Sequence, residues 1–182
     1  MKLIPTKLEG VVILEPRVFG DERGFFMESW NQKTFAELGL DLQFVQDNHS
    51  RSRQGILRGL HYQLQNPQGK LVRVTQGRVY DVAVDIRKSS STFGQWVGVE
   101  LSADNHRMFW VPAGFAHGFY VMSESADFQY KCTHFYAPEH ERCIRWNDPT
   151  LAIDWPLVNG EAPQLSAKDA VGSLLDNAEV FA

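Results

Sequence analysis

The stretch Leu71-Val72-Arg73-Val74-Thr75, then Gln76-Gly77, then Arg78-Val79-Tyr80-Asp81-Val82-Ala83-Val84-Asp85, decides the fold class. Apolar residues recur there with period two on either side of a Gly-containing turn, so side chains alternate between an inner and an outer face. The spacing predicts a β-hairpin. Working outward, short apolar runs broken by Gly and Pro predict strands over 24–30, 43–49, 56–63, 95–102, 107–111, 117–123 and 126–136. Only two stretches read as helix. Residues 31–38 have an N-cap in Asn31 and a C′ glycine in Gly39; residues 166–175 start at Ser166 but contain Gly172. About ten short strands predict an all-β fold, a jelly roll or related barrel with a few short helices. No repeat, low-complexity tract or linker divides the chain, so residues 1–182 read as one domain. The segment after about 147, richer in Pro, Asp and Asn, is expected to wrap the barrel.

Composition narrows the function classes. With 43% hydrophobic and 22% charged residues, the chain can bury a core and lacks the signature of disorder. Its longest aliphatic run, Val11-Val12-Ile13-Leu14, is far short of the roughly 20 residues that span a bilayer, and Glu9 arrives before a signal-peptide core can form. A cytoplasmic protein with no membrane partner is the expectation. The net charge of −4 supplies no basic field for a nucleic acid polymer. Eleven of the 18 cations are nevertheless Arg, the preferred fork for phosphate and carboxylate, which points to a small anionic ligand. Cys132 and Cys143 match neither a disulfide scaffold nor a zinc motif, and read as reduced thiols.

Several residues stand out against their strands. In Gly55-Ile56-Leu57-Arg58-Gly59-Leu60-His61-Tyr62-Gln63, a spacing of three puts Arg58 and His61 on opposite faces of a regular strand. Bringing them together requires a bulge, which Gly59 can provide; otherwise His61 is a hydrogen-bonded core residue and Arg58 a surface charge. Lys70 opens the next strand after Asn66-Pro67-Gln68-Gly69, either as an edge charge that deters pairing or, beside His61, as a stabiliser of an oxyanion. Residues 109–119 resemble the second motif of cupins, a Pro-x-Gly turn before a strand bearing His, here His117. In metal cupins that His joins two others and a Glu, but Gln63 stands where the second His of a His-x-His belongs, so a metal-free cupin fits better. Tyr130, Cys132 and His134 share one face, as does Tyr136 if the strand stays regular; such Tyr residues are ordinarily packing, or else proton donors to a ligand. Lys168-Asp169 lies in the first turn of the second helix, where an Asp favours the macrodipole.

Taken in order, Asp21-Glu22-Arg23-Gly24-Phe25-Phe26, Gln46-Asp47-Asn48-His49-Ser50, Arg58-Gly59-Leu60-His61-Tyr62-Gln63, Gly69 to Val74, Gly77 to Asp85, Val111 to Phe119 and Tyr130 to Pro138 resemble the dTDP-4-dehydrorhamnose 3,5-epimerase family of the cupin superfamily over nearly the whole chain. The resemblance implies a cupin-type jelly roll and inversion of C3 and C5 of dTDP-4-dehydro-6-deoxy-D-glucose, both flanking the C4 ketone. Deprotonation there gives an enolate with its charge on O4, which calls for a base, an acid on the other face and a cation at the oxygen. Carried over by motif, His61 is the base, Asp169 its orienting partner, Lys70 the enolate stabiliser and Tyr130 the acid. Arg23 and Arg58 would contact the diphosphate, Glu28, Gln46, Asp47 and Asn48 would position it or the thymidine, Tyr136 would stack on thymine, and His117, Glu141 and Lys168 also match binding positions. No cofactor or metal is implied. The family pattern further implies a homodimer with exchanged N-terminal strands. A relative that inverts one centre only, a metal cupin and a silent nucleotide-sugar-binding module are the rival readings.

Overall fold

The computed structural model describes residues 1–182. Two antiparallel sheets face each other as a jelly roll. The first runs β1 (Lys2–Pro5), β2 (Val12–Glu15), β10 (Met108–Val111), β7 (Lys70–Gln76), β12 (Ser125–Cys132), β5 (Gln46–Arg53). The second runs β13 (Glu141–Cys143), β6 (Leu57–Gln63), β11 (Phe115–Val121), β8 (Arg78–Asp85), β9 (Trp96–Ser102). A separate hairpin pairs β3 (Val18–Asp21) with β4 (Gly24–Met27) and with no other strand.

The alternating residues of the predicted hairpin do build the core. Val72 and Val74 of β7 meet Val79 and Ala83 of β8 in a buried cluster with Phe109, Phe119 and Phe128. The two strands do not pair with each other, however. β7 lies between β10 and β12, whereas β8 lies between β11 and β9. The turn at Gly77 (φ +75°) therefore carries the chain from one sheet to the other, and a Cβ there would sit 2.0 Å from the Ser125 carbonyl oxygen. Period two reports which side chains face inward, and that is equally satisfied by pairing or by facing across the core.

Strand lengths follow from available partners. β12 ends at Cys132, four residues short of the expected 126–136, because Cys132 makes the last pair on both sides, with Lys70 and with Gln46. β5 accordingly begins at Gln46 rather than 43 and runs on to Arg53 opposite Ser125. β4 stops at Met27, not 30; Glu28 then turns to accept from Asn31 Nδ2 (2.8 Å) and Thr34 Oγ1 (2.9 Å) at the start of α1 (Gln32–Glu37). Asn31 caps α1 as expected, and α1 buries Phe35 against Leu71, Met108 and Trp110 on the outer face of the first sheet. The second helix, α2, covers only Ala167–Ala170, capped by Ser166. It is shorter than 166–175 because Ser173 is taken by a neighbouring strand: its N–H donates to the Cys143 carbonyl (3.0 Å) and its carbonyl accepts from Arg145 N–H (2.9 Å). Ile144, Leu151, Trp155 and Leu175 of the C-terminal segment cover the outer face of the second sheet against Leu57, Leu60 and Tyr62. No helix is long and apolar enough to cross a membrane.

Candidate active site

Between the sheets, beside the apolar core, lies a cavity of about 330 Å³. Its second-sheet wall depends on an irregularity. β6 and β11 pair His61 with His117 and Arg58 with Phe119, so three residues of β6 advance against two of β11. The extra residue brings Arg58 and His61 onto the cavity face while Leu57, Leu60 and Tyr62 enter the core behind. Gly59 makes this possible. It takes φ +122°, and a Cβ on it would lie 2.6 Å from Gly118 Cα.

His61 Nε2 lies 2.5 Å from Asp169 Oδ1. Asp169 is 2% exposed, and the Ser166 hydroxyl donates to its Oδ2 (2.8 Å). Burial alone would raise the Asp169 carboxyl; the hydrogen bond and charge of His61, with Ser166 and Lys168, outweigh it and hold the group below the usual carboxylate range. An acceptor-only carboxylate fixes the imidazole with its proton on Nε2, which leaves the Nδ1 lone pair free.

The first sheet supplies the facing groups. Tyr130 of β12 lines the cavity, its phenol pushed up to about 12, chiefly by burial, and so protonated near neutrality. Lys70 enters from the start of β7, in the opposite sheet from His61 rather than on a neighbouring strand. Burial lowers its ammonium, opposed by the charges of Cys132, Glu141 and Asp81. Gln46 and Asn48 point inward from β5, linked by Gln46 Nε2 donating to Asn48 Oδ1 (3.1 Å). At the mouth, Tyr136 O–H (2.8 Å) and Lys168 Nζ (2.6 Å) both donate to Glu141 Oε2. His117 is buried, its Nε2 2.8 Å from Asp81 Oδ1.

The cavity thus gathers His61, Lys70, Tyr130, Arg58, Gln46, Asn48, His117, Tyr136, Glu141 and Lys168, with Asp169 directly behind His61. It does not gather Arg23, Glu28 or Asp47. Asp47 alternates to the outer face of β5, where Lys131 Nζ donates to both its oxygens at 2.9 and 3.0 Å. Arg23 sits on the exposed β3–β4 turn against Asp21, and Glu28 is held at the N-terminus of α1. The Arg excess of the chain is not gathered here either: Arg58 is the cavity's one Arg and its other cations are Lys70 and Lys168. Sequence reading passed over Asp81, fully buried beside His117 with Oδ2 unpartnered and its carboxyl raised by burial. The available signal was a lone acid in the apolar run Val79 to Val84.

His61, Cys143 and Asp169 bring three potential ligand atoms within 4.8 Å of one another. Two of them are already bonded to each other, and burial beside Asp169 pushes the Cys143 thiol up to about 12. The trio reads as a proton-handling dyad with a neutral thiol alongside.

The profile of the dTDP-4-dehydrorhamnose 3,5-epimerase family matches residues 5–177. A dTDP-4-dehydrorhamnose 3,5-epimerase of Pseudomonas aeruginosa is 61% identical over 182 residues, all of this chain and 99% of that one. A dTDP-6-deoxy-D-glucose-3,5-epimerase from Legionella pneumophila, solved in complex with dTDP-4-keto-L-rhamnose, superposes with a TM-score of 0.94 at 59% identity over 98% of this chain and 94% of that one. A 3′-monoepimerase from Streptomyces bikiniensis in complex with dTDP-quinovose gives 0.89 at 33% identity, over 94% and 87%.

Proposed function

The chain belongs to the dTDP-4-dehydrorhamnose 3,5-epimerase family, and from that premise we propose that its cavity inverts C3 and C5 of dTDP-4-dehydro-6-deoxy-D-glucose through an enolate, without a metal. It is an isomerase of dTDP-L-rhamnose biosynthesis. One observation carries the assignment of roles: His61, backed by Asp169 of α2, projects from the second sheet and the Tyr130 phenol from the first, into the same cavity. A sugar ring held between them is addressed from both faces, which is what inversion requires.

His61 Nδ1 takes the proton from the carbon next to the ketone, and Asp169 stabilises the imidazolium that forms. Charge accumulates on O4, where the Lys70 ammonium offsets it in a site of low dielectric. Tyr130, protonated near neutrality, returns a proton to the opposite face. Arg58 and Lys168 serve the diphosphate, Tyr136 the thymine, and Gln46, Asn48, His117 and Glu141 complete the binding shell.

Arg23 and Glu28 enter this scheme through a second subunit. The β3–β4 hairpin exposes Phe19, Phe25 and Phe26, the last two by 61% and 70%, and pairs with no strand of its own chain. A homodimer with exchanged N-terminal strands covers this apolar surface and presents Arg23 to the neighbour's substrate. Asp47, facing away from the cavity, is assigned no direct contact.

Incubation with dTDP-4-dehydro-6-deoxy-D-glucose in D2O tests the reaction. Deuterium is expected at both C3 and C5, and none with His61→Asn. Label at one carbon alone would make the protein a single-centre epimerase, and label undiminished in His61→Asn would remove the base.

A further inference from the structure

Gln63 is the last residue of β6, two beyond His61, and is 4% exposed. A buried primary amide is costly unless its donors and acceptor are met, and here they are met by backbone alone. Its Nε2 donates to the carbonyls of Asn66 (2.7 Å) and Phe135 (3.2 Å), and its Oε1 accepts from Ala137 N–H (3.0 Å). Phe135 and Ala137 are the residues immediately before and after Tyr136. One side chain therefore grips the backbone on both sides of that tyrosine.

Little else holds the ring. Between Cys132 and Glu141 the chain pairs with no strand, Phe135 is 68% and Tyr136 49% exposed, and the hydrogen bond of the Tyr136 side chain is its hydroxyl's to Glu141. Further ties are again polar: Tyr136 N–H donates to Gln46 Oε1 (2.9 Å), Gln68 Nε2 to the His134 carbonyl (2.7 Å), and Thr133 exchanges hydrogen bonds with Gly69, its N–H to the carbonyl (3.0 Å) and its Oγ1 from the N–H (2.8 Å). Packing fixes the strands, but a hydrogen-bonded clamp fixes this segment.

We infer that Gln63 is a positioning residue that sets the Tyr136 ring as the platform for the nucleobase, rigidly joined to the strand that carries the base His61. The inference rests on the reading of Tyr136 as the thymine-stacking residue. It also gives a use to the position that in metal-binding cupins holds a histidine ligand. An amide offers an N–H pair and a carbonyl on one planar head, matching the carbonyl and N–H that flank Tyr136; an imidazole cannot make this set of bonds.

Binding of dTDP is measured by calorimetry for the wild type, Tyr136→Ala, Gln63→Met and the double variant, with inorganic pyrophosphate as a competitor that lacks the base. Stacking a base on an aromatic ring is worth roughly 5- to 150-fold in affinity. Tyr136→Ala is expected to lose about tenfold or more, and Gln63→Met a similar amount, with the double variant no worse than Tyr136→Ala. Pyrophosphate affinity and saturating kcat stay at the wild-type level in Gln63→Met, while KM rises. Gln63→Asn, which keeps an amide but withdraws it by one methylene, replaces Gln63→Met if the latter does not fold, with the same expectation. A weakened Tyr136→Ala alongside an unaltered Gln63 variant overturns the clamp alone. An unaltered Tyr136→Ala overturns the stacking role and the clamp with it. Additive losses in the double variant, or an equal loss for pyrophosphate, show Gln63 acting as general scaffold and also overturn the inference.

Discussion

Replacing Asp169 by Asn removes one charge from behind His61 while leaving the shape of the site almost intact. Today Oδ1 faces His61 Nε2 at 2.5 Å and Oδ2 accepts from the Ser166 hydroxyl at 2.8 Å, so both oxygens act as acceptors. An amide has only one acceptor. With its oxygen kept on His61, the bond persists but turns from charge-assisted to neutral, a loss of about 2 kcal/mol toward the imidazolium formed on proton abstraction. That orientation aims the new NH2 at Ser166, whose hydroxyl must reverse from donor to acceptor at a cost of about 1 kcal/mol. The other orientation aims NH2 at Nε2, moves the imidazole proton to Nδ1 and removes the lone pair that acts as base. Only the first contribution differs between ground state and transition state, the Ser166 reversal being borne by the folded variant throughout, so about 2 kcal/mol is added to the barrier and kcat for epimerisation is expected to fall roughly 30-fold. KM should hold, because Asp169 stands behind His61 and does not line the cavity. Steady-state kinetics with the coupled reductase and deuterium wash-in provide the two readouts. A kcat within twofold of wild type would refute the dyad, and a raised KM with unchanged kcat would make Asp169 a binding residue.

Three further outcomes follow from the same geometry. Burial holds the Lys70 ammonium below the ordinary lysine range, so its charge is lost at lower pH than that of a surface lysine; kcat is expected to fall on the alkaline side through that depressed pKa. Lys70→Met should remove this limb and lower kcat by about 10²- to 10³-fold; an alkaline limb unchanged in the variant assigns it to another group. Tyr130→Phe removes the only hydroxyl of that side chain and should cost about 10²-fold or more in turnover, with dTDP affinity by calorimetry within about twofold. Full turnover in that variant would place the acid elsewhere. For assembly, Phe25→Ser combined with Phe26→Ser should shift sedimentation from dimer to monomer, and Arg23→Ala should raise KM in a protein that remains dimeric. A wild-type monomer at assay concentration would remove the second-subunit role of Arg23.

The strands that pack most tightly were the most legible. In β8 every residue from Asp81 to Asp85 is buried, and its alternation announces a core whatever its partners are. What alternation does not carry is pairing, which is why β7 and β8 read as a hairpin though they lie in opposite sheets. The bulge at Gly59 was readable because a regular strand leaves Arg58 and His61 on opposite faces, and a glycine between them is where the extra residue fits. Asp169 was not readable in that way. Its link to His61 depends on Ser173 bridging to Cys143 and Arg145, a contact with no local periodic signature, and only motif resemblance named it. β1 and β2 escaped notice for a related reason, being four-residue strands with too few positions for alternation to register.

Charge shows where composition misleads and what replaces it. An Arg excess in an acidic chain pointed to a small anionic ligand, yet Arg51, Arg87, Arg107 and Arg142 are each spent on a carboxylate, with Asp127, Asp85, Glu15 and Glu179 respectively. Arg23 is likewise held by Asp21. Such pairs contribute little individually where they are exposed, and they cancel the field that a count of cations implies. The informative cations are those left without a carboxylate in an enclosed place. Arg58 bonds only the Ser52 hydroxyl (3.0 Å), and Lys70 makes no ion pair; both face the cavity. Holding an ammonium out of water with no carboxylate in direct contact is unfavourable, and burial lowers the Lys70 pKa despite the more distant charges of Glu141 and Asp81. The strain is relieved when an anion arrives. A bound diphosphate and, at the moment of reaction, an enolate oxygen supply that missing charge, so Lys70 interacts more strongly with the enolate than with the neutral ketone, the condition for catalysis rather than mere binding.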